Sequence, residues 1–420
     1  MKQIITRQIK SQSVRIPGSK SISHRMIICA ALSKGTSRIH NLLKSQDLSL
    51  TTQALAAMGA GIKEIEPGIV EVKGFNGRPI PHESPVFLGN SGTSMRLIAG
   101  IAALGNTPYT LTGDQRMCQR PMSELLDSLK MIQVEAKSRN PEGTPPVSIK
   151  GTSRKGGKTI LDCSKSSQYL SSLLMVGALM EKGLTIALTG PPVSKPYIDL
   201  TIDVMNQFNV KAHRITETEY FVPGNQVYES GEFFVEPDLS NAGYFWAAGA
   251  VTGREIAIDI DNIKKKSLQG DLKQIYILEK MGCSVLLRKN SVAVMGNALK
   301  GVDVDMSDTP DAVPAIAVVA AFAKGKTRIS NIGHLRIKEC DRIEAVSSQL
   351  IKMGIQVNQG PDFIEIQGGH PKGAFIETFN DHRIAMAFSV AGLVVNGMEI
   401  ENETCVEKSF PEYWTLFDSL

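Results

Sequence analysis

Paired cysteine motifs, long hydrophobic runs and a strong net charge are all missing from this 420-residue sequence. Its six cysteines follow no CxxC or Cys/His spacing, so neither a disulfide framework nor a metal site is predicted. The longest apolar run, residues 315–323, is about half the length that a membrane span needs. The first ten residues lack the apolar centre of a secretory signal. These absences predict a cytoplasmic protein with reduced thiols and no membrane partner.

The charge balance gives no sign of a nucleic-acid partner. Lys and Arg total 46, Asp and Glu total 42, and no basic run carries interleaved aromatic residues. Hydrophobic residues make up 42% and charged residues 21%, which is usual for a globular protein. A chain of this length favours two domains of roughly 200 residues each. Any preference for anions must therefore come from a local site.

An apolar helix of small residues that ends in a glycine turn recurs six times. The six segments are residues 21–35, 91–105, 166–183, 240–253, 310–325 and 380–397. Their closing glycines are 70 to 78 residues apart. After each glycine the pattern predicts a short strand, a second amphipathic helix and a pair of strands. The predicted fold class is therefore α/β, built from six copies of one unit with one buried helix each.

The ends of the chain suggest how the units are grouped. The sixth unit stops before its pair of strands, whereas the first eighteen residues have two strand patterns and no helix. We infer that an N-terminal hairpin completes the sixth unit. The chain then divides into two similar domains of three units, residues 19–234 and residues 1–18 with 235–420, joined by two crossing strands.

Polar residues precede or open every apolar helix. Ser, Thr, Asp and Asn at such positions are N-caps first of all. The N-termini of quasi-symmetric helices point the same way, however, and each favours an anion by about 0.3–1 kcal/mol. Nearby loops add long cationic side chains, at Arg120, Lys195, Arg336, Lys338, Arg342 and Lys408. We therefore expect a small ligand with several negative charges, bound where the two domains face each other.

Nine motifs along the whole chain resemble those of the 5-enolpyruvylshikimate-3-phosphate synthase family. In order, they are GSKSISHR, LGNSGTSMRL, QRMCQRPM, SSQYL, SKPYID, DTPDA, LRIKECDR, NDHRIAM and KSFPEYW. The family fold has two domains, each of three βαβαββ units in an inside-out α/β barrel. The resemblance implies transfer of the enolpyruvyl group from phosphoenolpyruvate to the 5-hydroxyl of shikimate 3-phosphate, with release of phosphate and no metal or organic cofactor.

The same resemblance implies a role for individual residues. The catalytic residues would be Asp311 as base and Glu339 or Lys20 as proton donor. The shikimate 3-phosphate site would contain Lys20, Ser21, Arg25, Ser166, Ser167, Gln168, Ser194, Tyr197, Asp311, His334 and Lys338. The phosphoenolpyruvate site would contain Lys20, Gly92, Arg120, Gln168, Arg342, Arg383 and Lys408. His334 departs from the family, which often has asparagine there, and His382 fits a role at the helix start as well as a catalytic one.

Two alternative functions remain at this stage. UDP-N-acetylglucosamine enolpyruvyl transferase shares the fold and the donor, and it uses a cysteine in the loop that holds Cys118. Here Cys118 stands only two residues before Arg120, which favours an incidental role. The alternative of another class is a noncatalytic anion-binding repeat protein, which would not need both Asp311 and Glu339.

Three further expectations follow. We expect a monomer whose partners are two small-molecule substrates, phosphoenolpyruvate and shikimate 3-phosphate. Repulsion among the arginines in the absence of ligand predicts a hinge near residues 18–20 and 234–237 that closes when anions bind. The resemblance makes the protein a glyphosate target, and Gly92 favours a sensitive enzyme because it leaves room beside the enolpyruvate.

Overall fold

The computed structural model describes residues 1–152, 154–259 and 267–420, which form two compact units, Gly18–Glu236 and Met1–Pro17 with Pro237–Leu420. Each unit has its own hydrophobic core. The α-helices are α1 (Lys20–Leu32), α2 (Gln46–Ala57), α3 (Gly92–Ala102), α4 (Ser123–Met131), α5 (Gln168–Gly177), α6 (Pro196–Gln207), α7 (Leu239–Thr252), α8 (Gln274–Lys280), α9 (Val313–Ala320), α10 (Arg342–Lys352), α11 (His382–Ala391) and α12 (Tyr413–Asp418).

The strands are short and alternate with these helices along the chain. They are β1 (Lys2–Ile4), β2 (Gln12–Val14), β3 (Thr36–His40), β4 (Gly61–Glu66), β5 (Ile69–Lys73), β6 (Val86–Phe87), β7 (Tyr109–Thr112), β8 (Glu135–Ser138), β9 (Val147–Lys150), β10 (Gly157–Leu161), β11 (Leu184–Leu188), β12 (His213–Arg214), β13 (Glu219–Val222), β14 (Glu232–Phe234), β15 (Ile256–Asp259), β16 (Ser284–Leu287), β17 (Ser291–Met295), β18 (Asp303–Asp305), β19 (Lys326–Ser330), β20 (Gln356–Gln359), β21 (Ile364–Gln367), β22 (Phe375–Ile376) and β23 (Met398–Ile400).

The described residues form six small sheets that repeat one topology. A leading strand pairs parallel with the strand after the apolar helix, and that strand pairs antiparallel with the last strand of the unit. The strand orders are β14-β3-β5-β4, β6-β7-β9-β8, β10-β11-β13-β12, β2-β15-β17-β16, β18-β19-β21-β20 and β22-β23-β1. This is the six-fold repeat that the spacing of the glycines predicts.

The two N-terminal strands join different sheets. β1 pairs antiparallel with β23 in the sixth sheet, whereas β2 pairs parallel with β15 and leads the fourth sheet. β14, at the end of the third repeat, is the leading strand of the first sheet and lies beside β3. The prediction of an N-terminal hairpin is therefore wrong, although its first strand does lie in the sixth sheet. Alternation of apolar residues identifies a strand but not its partner. β2 could therefore complete the fourth sheet as its parallel leading strand, just as β1 completes the sixth sheet as its antiparallel last strand.

One helix of each repeat is buried on almost every side. In α1, α3, α5, α7, α9 and α11 nearly all residues are buried, as predicted from their apolar composition. Small residues allow these helices to pack closely. A Cβ on Gly100 of α3, for example, would lie 2.4 Å from Oγ of Ser172 in α5. The buried helices thus fix the positions at which their polar first turns stand.

Capping side chains close the first turn of α3, α7 and α11. There Ser91, Asp238 and Asp381 each accept a hydrogen bond from a backbone N–H group. Ser19 and Ser167, at the starts of α1 and α5, make no such bond. The N-cap role expected at all six helix starts therefore holds in its usual form for three of them, and at α5 the hydroxyl of Ser166 accepts from the N–H of Gln168 instead.

Candidate functional site

Lys20 is the first residue of α1, and an acid of the next helix holds its ammonium group. Nζ of Lys20 lies 3.2 Å from Oδ2 of Asp47, in the first turn of α2. The backbone N–H of Ser19 donates to the carbonyl O of Glu236 at 2.7 Å, which fixes the residue before the helix. The chain thus presents Lys20 from a helix start whose geometry is set by its neighbours.

Arg25, one turn further along α1, is buried and makes several hydrogen bonds within the unit. Nε donates to Oγ1 of Thr201 at 2.7 Å, and Nη2 donates to Oγ of Ser171 and to the carbonyl O of Tyr197, both at 3.1 Å. Nη1 donates to the carbonyl O of Ser21 at 2.9 Å. Burial lowers the pKa of the Arg25 guanidinium to about 10. Three of the residues expected to bind shikimate 3-phosphate, Ser21, Arg25 and Tyr197, are thereby brought together.

The start of α3 is shaped by a glycine with two arginines against it. A Cβ on Gly92 would lie 2.3 Å from Nη1 of Arg96 and 2.5 Å from Nη2 of Arg120. Both arginines are buried. Nη1 of Arg120 donates to the backbone O and to Oδ1 of Asn90, at 3.1 and 3.0 Å. Because residue 92 has no side chain, both guanidinium groups can approach the helix start.

Gln168, the first residue of α5, connects the starts of α3 and α5. Its Nε2 donates to Oγ1 of Thr93 at 3.0 Å, and its Oε1 accepts from Nη1 of Arg96 at 3.5 Å. The hydroxyl of Ser166 accepts from the backbone N–H of Gln168 at 3.2 Å, and Ser167 is buried beside it. The serines and the glutamine of this motif therefore share one cluster with the α3 start.

Ser194 and Tyr197 flank the start of α6. Ser194 is buried and has a left-handed backbone, with φ of 54°. Its carbonyl O accepts a hydrogen bond from the N–H of Tyr197 at 3.2 Å. A non-glycine residue in this conformation costs of order 1–3 kcal/mol, so the turn is held by the structure around it.

The residues of this unit suit an anion with a phosphate and a carboxylate. Guanidinium groups bind both anions with two parallel hydrogen bonds, and an ammonium group adds a point charge. Serine hydroxyls and helix N–H groups supply neutral donors. The set therefore has the chemistry that the resemblance implies for it.

In the compact unit formed by Met1–Pro17 and Pro237–Leu420, Arg342 is buried among three carboxylates. Its Nε donates to Oδ2 of Asp381 at 2.7 Å, its Nη1 to Oδ1 of Asp311 at 2.9 Å and its Nη2 to Oε2 of Glu339 at 2.8 Å. Burial opposes the charge on Arg342, but these carboxylates outweigh it and hold its pKa well above the ordinary value. Arg342 is thus charged and fixed, and it brings the two acids expected to be catalytic to one group.

Arg383 holds Asp311 from a second side. Its Nη2 donates to Oδ2 of Asp311 at 2.7 Å, and its Nη1 donates to Oγ of Ser240 at 2.7 Å and to the hydroxyl of Tyr244 at 3.2 Å. Asp311 lies in a short 3-10 segment, Pro310–Ala312, directly before α9. Its carboxylate is therefore oriented by two charge-assisted pairs while 21% of its side chain stays exposed.

His334, Lys338 and Lys408 lie in or beside short 3-10 segments of the same unit. His334 is in Gly333–Ile337, Lys338 follows it, and Lys408 ends Glu403–Lys408. His334 is buried, and within the described part of the chain its Nε2 has no hydrogen-bond partner. Burial first, and then Lys338, lower the pKa of His334 to about 3. The ring is therefore neutral near pH 7, with one nitrogen available to a polar ligand.

Two cations expected to serve the ligand are engaged elsewhere. Arg336 donates to Oδ2 of Asp341 at 2.7 Å and to the carbonyl O atoms of Pro361 and Gly360, so it holds a turn together. Nζ of Lys195 lies 2.9 Å from Oε2 of Glu217 at an exposed position. Loop composition cannot separate a lysine or arginine that binds ligand from one that anchors its own loop.

His382 is fully buried at the start of α11. Its Nδ1 lies 3.6 Å from Oδ1 of Asp381. This position agrees with a role at the helix start.

Sequence reasoning missed two acids that organise the site. Asp47 was not singled out, although it stands two residues after a serine that caps α2. Asp381 was considered only as part of a helix start, yet it both caps α11 and pairs with Arg342. An acidic residue at the start of a helix, in the first turn as for Asp47 or at the N-cap as for Asp381, is the signal that could have found them.

The described residues contain no group of three or more metal-ligating side chains, and none of their helices is long and apolar enough to cross a membrane. Asp311 and Glu339, which by residue type could bind a cation, are instead paired with arginines. Lys20, Gly92, Arg120 and Gln168 belong to one unit, and Asp311, Glu339, Arg342, Arg383 and Lys408 belong to the other.

A family model described as EPSP synthase (3-phosphoshikimate 1-carboxyvinyltransferase) matches residues 6–417. The 3-phosphoshikimate 1-carboxyvinyltransferase of Syntrophobacter fumaroxidans is 40% identical over 416 residues, which are 98% of this chain and 97% of that protein. The one of Tolumonas auensis is 41% identical over 415 residues, 97% of this chain and 96% of that protein. The name of these relatives corresponds to the candidate function that the nine motifs favour, and not to UDP-N-acetylglucosamine enolpyruvyl transfer or to noncatalytic anion binding.

Solved structures give the same answer. EPSP synthase from Acinetobacter baumannii matches with a TM-score of 0.82 at 29% identity, over 99% of this chain and 97% of that chain. The enolpyruvyl transferase NikO from Streptomyces tendae matches with a TM-score of 0.75 at 16% identity, over 100% and 96%, and shows the shared fold alone. The predicted fold class is confirmed. With the match over residues 6–417, these findings place the chain in the EPSP synthase family.

Proposed function

We propose that this protein is an enzyme that transfers the enolpyruvyl group of phosphoenolpyruvate to the 5-hydroxyl of shikimate 3-phosphate and releases phosphate. The observation that carries the proposal is that both Arg342 and Arg383 donate to the carboxylate of Asp311. Arg342 also donates to Glu339. A noncatalytic anion trap would gain nothing from two carboxylates paired with its arginines, because they compete with the anion. An addition reaction needs such groups to move protons.

We assign shikimate 3-phosphate to polar and cationic side chains at helix starts and in or beside the short 3-10 segments. Hydroxyl groups and helix N–H groups at Ser166 and Ser167 suit its phosphate. The neutral ring of His334 suits a hydroxyl of its ring. The remaining contacts that we assign to it are Lys20, Ser21, Arg25, Gln168, Ser194, Tyr197, Asp311 and Lys338.

Phosphoenolpyruvate carries a phosphate and a carboxylate, and both need cationic partners. We assign them to Lys20, Arg120, Arg342, Arg383 and Lys408, with Gln168 as a neutral donor and Gly92 as the position that leaves room. Since Arg342 and Arg383 already meet carboxylates, phosphoenolpyruvate would add to a network whose geometry is preset.

The reaction then runs by addition and elimination. Glu339 or Lys20 protonates the methylene carbon of phosphoenolpyruvate while the 5-hydroxyl attacks the neighbouring carbon and gives its proton to Asp311. The product of this step is a tetrahedral intermediate with a methyl group and an intact phosphate ester. The group that protonated the methylene carbon then takes a proton back from the methyl group while the carbon–oxygen bond to phosphate breaks, which restores the double bond. The leaving phosphate takes the proton held by Asp311, and the cations stabilise its charge.

The test is phosphate release from phosphoenolpyruvate with different acceptors. We expect release with shikimate 3-phosphate and none with UDP-N-acetylglucosamine or with unphosphorylated shikimate. Release with UDP-N-acetylglucosamine would identify the alternative transferase, and binding without release would identify an anion-binding protein. Asp311→Asn should lower the rate by about 10²–10⁴-fold, the usual contribution of a positioned acid or base. Asp308→Asn is the matched control, because Asp308 pairs only peripherally, with Lys273 at 2.8 Å.

Three further statements belong to this proposal. We propose that the two compact units are the substrate-binding domains, that the protein acts as a monomer in the cytoplasm, and that glyphosate inhibits it in competition with phosphoenolpyruvate. Light scattering of the purified protein tests the monomer. Initial rates at several glyphosate concentrations test inhibition, and rates unchanged by excess glyphosate would refute it.

A further inference from the structure

The ammonium group of Lys20 lies at the unfavourable end of a helix for a cation. α1 begins at this residue, and its first turn contains no acidic side chain. The N-terminus of a helix carries a partial positive charge, which disfavours a lysine there. Only 13% of the Lys20 side chain is exposed, so water compensates little. A negative charge from another element is therefore needed to hold the ammonium group in place.

Asp47 supplies that charge from the first turn of α2. Its Oδ2 lies 3.2 Å from Nζ of Lys20, and its side chain is 4% exposed. A carboxylate is favoured at this position by the α2 dipole, and Ser45 caps the helix by accepting from the N–H of Leu48. The backbone O of Asp47 also accepts from Oγ of Ser94, in the first turn of α3. The residue is thus fixed by α2 and α3 and holds the start of α1.

We propose that Asp47 is a positioning residue that acts through Lys20. The inference rests on the proposed role of Lys20 at the reacting atoms. Without the carboxylate, the flexible lysine side chain would leave its single position and the helix dipole would push it outward. Misplacement of a reacting group by about 1 Å can cost about 10²-fold in rate.

A double-mutant cycle on the full-length protein tests the proposal. The four proteins are the wild type, Asp47→Asn, Lys20→Met and the double variant, each assayed by phosphate release with shikimate 3-phosphate. We expect Asp47→Asn to lower kcat and kcat/KM together by about 10²-fold, because the lost interaction serves the transition state. In the Lys20→Met background the same substitution should change the rate by less than about 2-fold, since a residue that acts through Lys20 has nothing left to position.

Two further variants separate positioning from folding. Ser45→Ala weakens the same helix start without removing the carboxylate and should keep wild-type kinetics. Asp47→Glu keeps the charge and should recover part of the lost kcat, also where Asp47→Asn proves too unstable to assay. An equal loss from Asp47→Asn with and without Lys20 would overturn the proposal, as would wild-type activity of Asp47→Asn. Wild-type activity of Lys20→Met would instead refute the proposed role of Lys20, and the inference with it.

Discussion

The buried, neutral His334 makes a quantitative prediction about stability in acid. The pKa of this histidine falls from 6.5 to about 3 on folding, chiefly because of burial. Between these two pH values His334 is protonated in the unfolded chain and neutral in the folded protein. Its contribution to the free energy of unfolding is therefore fully present above pH 6.5 and is lost as the pH falls toward 3. Each pH unit in this window is worth ~1.36 kcal/mol, so the loss from pH 7 to pH 4 is about 3 kcal/mol.

The perturbation is His334→Asn, which removes the titrating ring and keeps a polar side chain. Carboxylates titrate in the same window, but they do so in both proteins, so the difference between the two isolates the histidine. We expect the free energy of unfolding of the variant, relative to wild type, to rise by about 3 kcal/mol between pH 7 and pH 4.

The assay is urea-induced unfolding without substrates at a series of pH values, followed by circular dichroism. His370→Asn, which changes an exposed histidine of the same unit, is the control and should follow the wild-type profile. A constant difference between His334→Asn and wild type across the pH range would refute a histidine that is buried in its neutral form.

Three other predictions concern the site. Gly92→Ala places a methyl group 2.5 Å from Nη2 of Arg120. We therefore expect KM for phosphoenolpyruvate to rise about 10-fold or more, with little change in KM for shikimate 3-phosphate. Gly190→Ala is the control and should have wild-type KM values, because a Cβ at residue 190 meets no atom within 4 Å. Arg342→Met leaves the carboxylates of Asp311, Glu339 and Asp381 without the arginine that they share. We expect the free energy of unfolding at pH 7 to fall by about 3–5 kcal/mol. A loss below about 1 kcal/mol would show that these ion pairs do not stabilise the fold. Cys118→Ser should retain wild-type phosphate release, because Sγ of Cys118 makes a long 3.8 Å contact with the carbonyl O of Gly113. An inactive variant would support a catalytic role for this cysteine.

The repeat could be predicted because it leaves a periodic mark in the sequence. Glycines that close the apolar helices have left-handed backbones at Gly35, Gly183 and Gly397, and side chains other than glycine rarely adopt this conformation. The spacing of such positions therefore reports the length of the unit directly. A strand follows each of these glycines, as the pattern predicts.

Strand partners and side-chain partners could not be predicted in this way. β2 has the same alternation whether it pairs with β1 or leads the fourth sheet, so only the assembled sheets distinguish the two. The pairs Lys20–Asp47 and Arg342–Asp381 join different helices, and their separations of 27 and 39 residues carry no periodic signal. The motifs thus indicate candidate site residues, but not the neighbours that hold them.

The ends of the two compact units have a consequence for protein engineering. The N–H of Asp238 donates to the carbonyl O of Pro17 at 2.9 Å, so the two cut ends of the flanking unit already touch. Glu236 and Ser19 meet in the same way at the ends of the middle unit. Because the ends of each unit are in contact, we expect that the outer pieces can be joined by a short linker once Gly18–Glu236 is removed, and that circularly permuted proteins can begin at either joint.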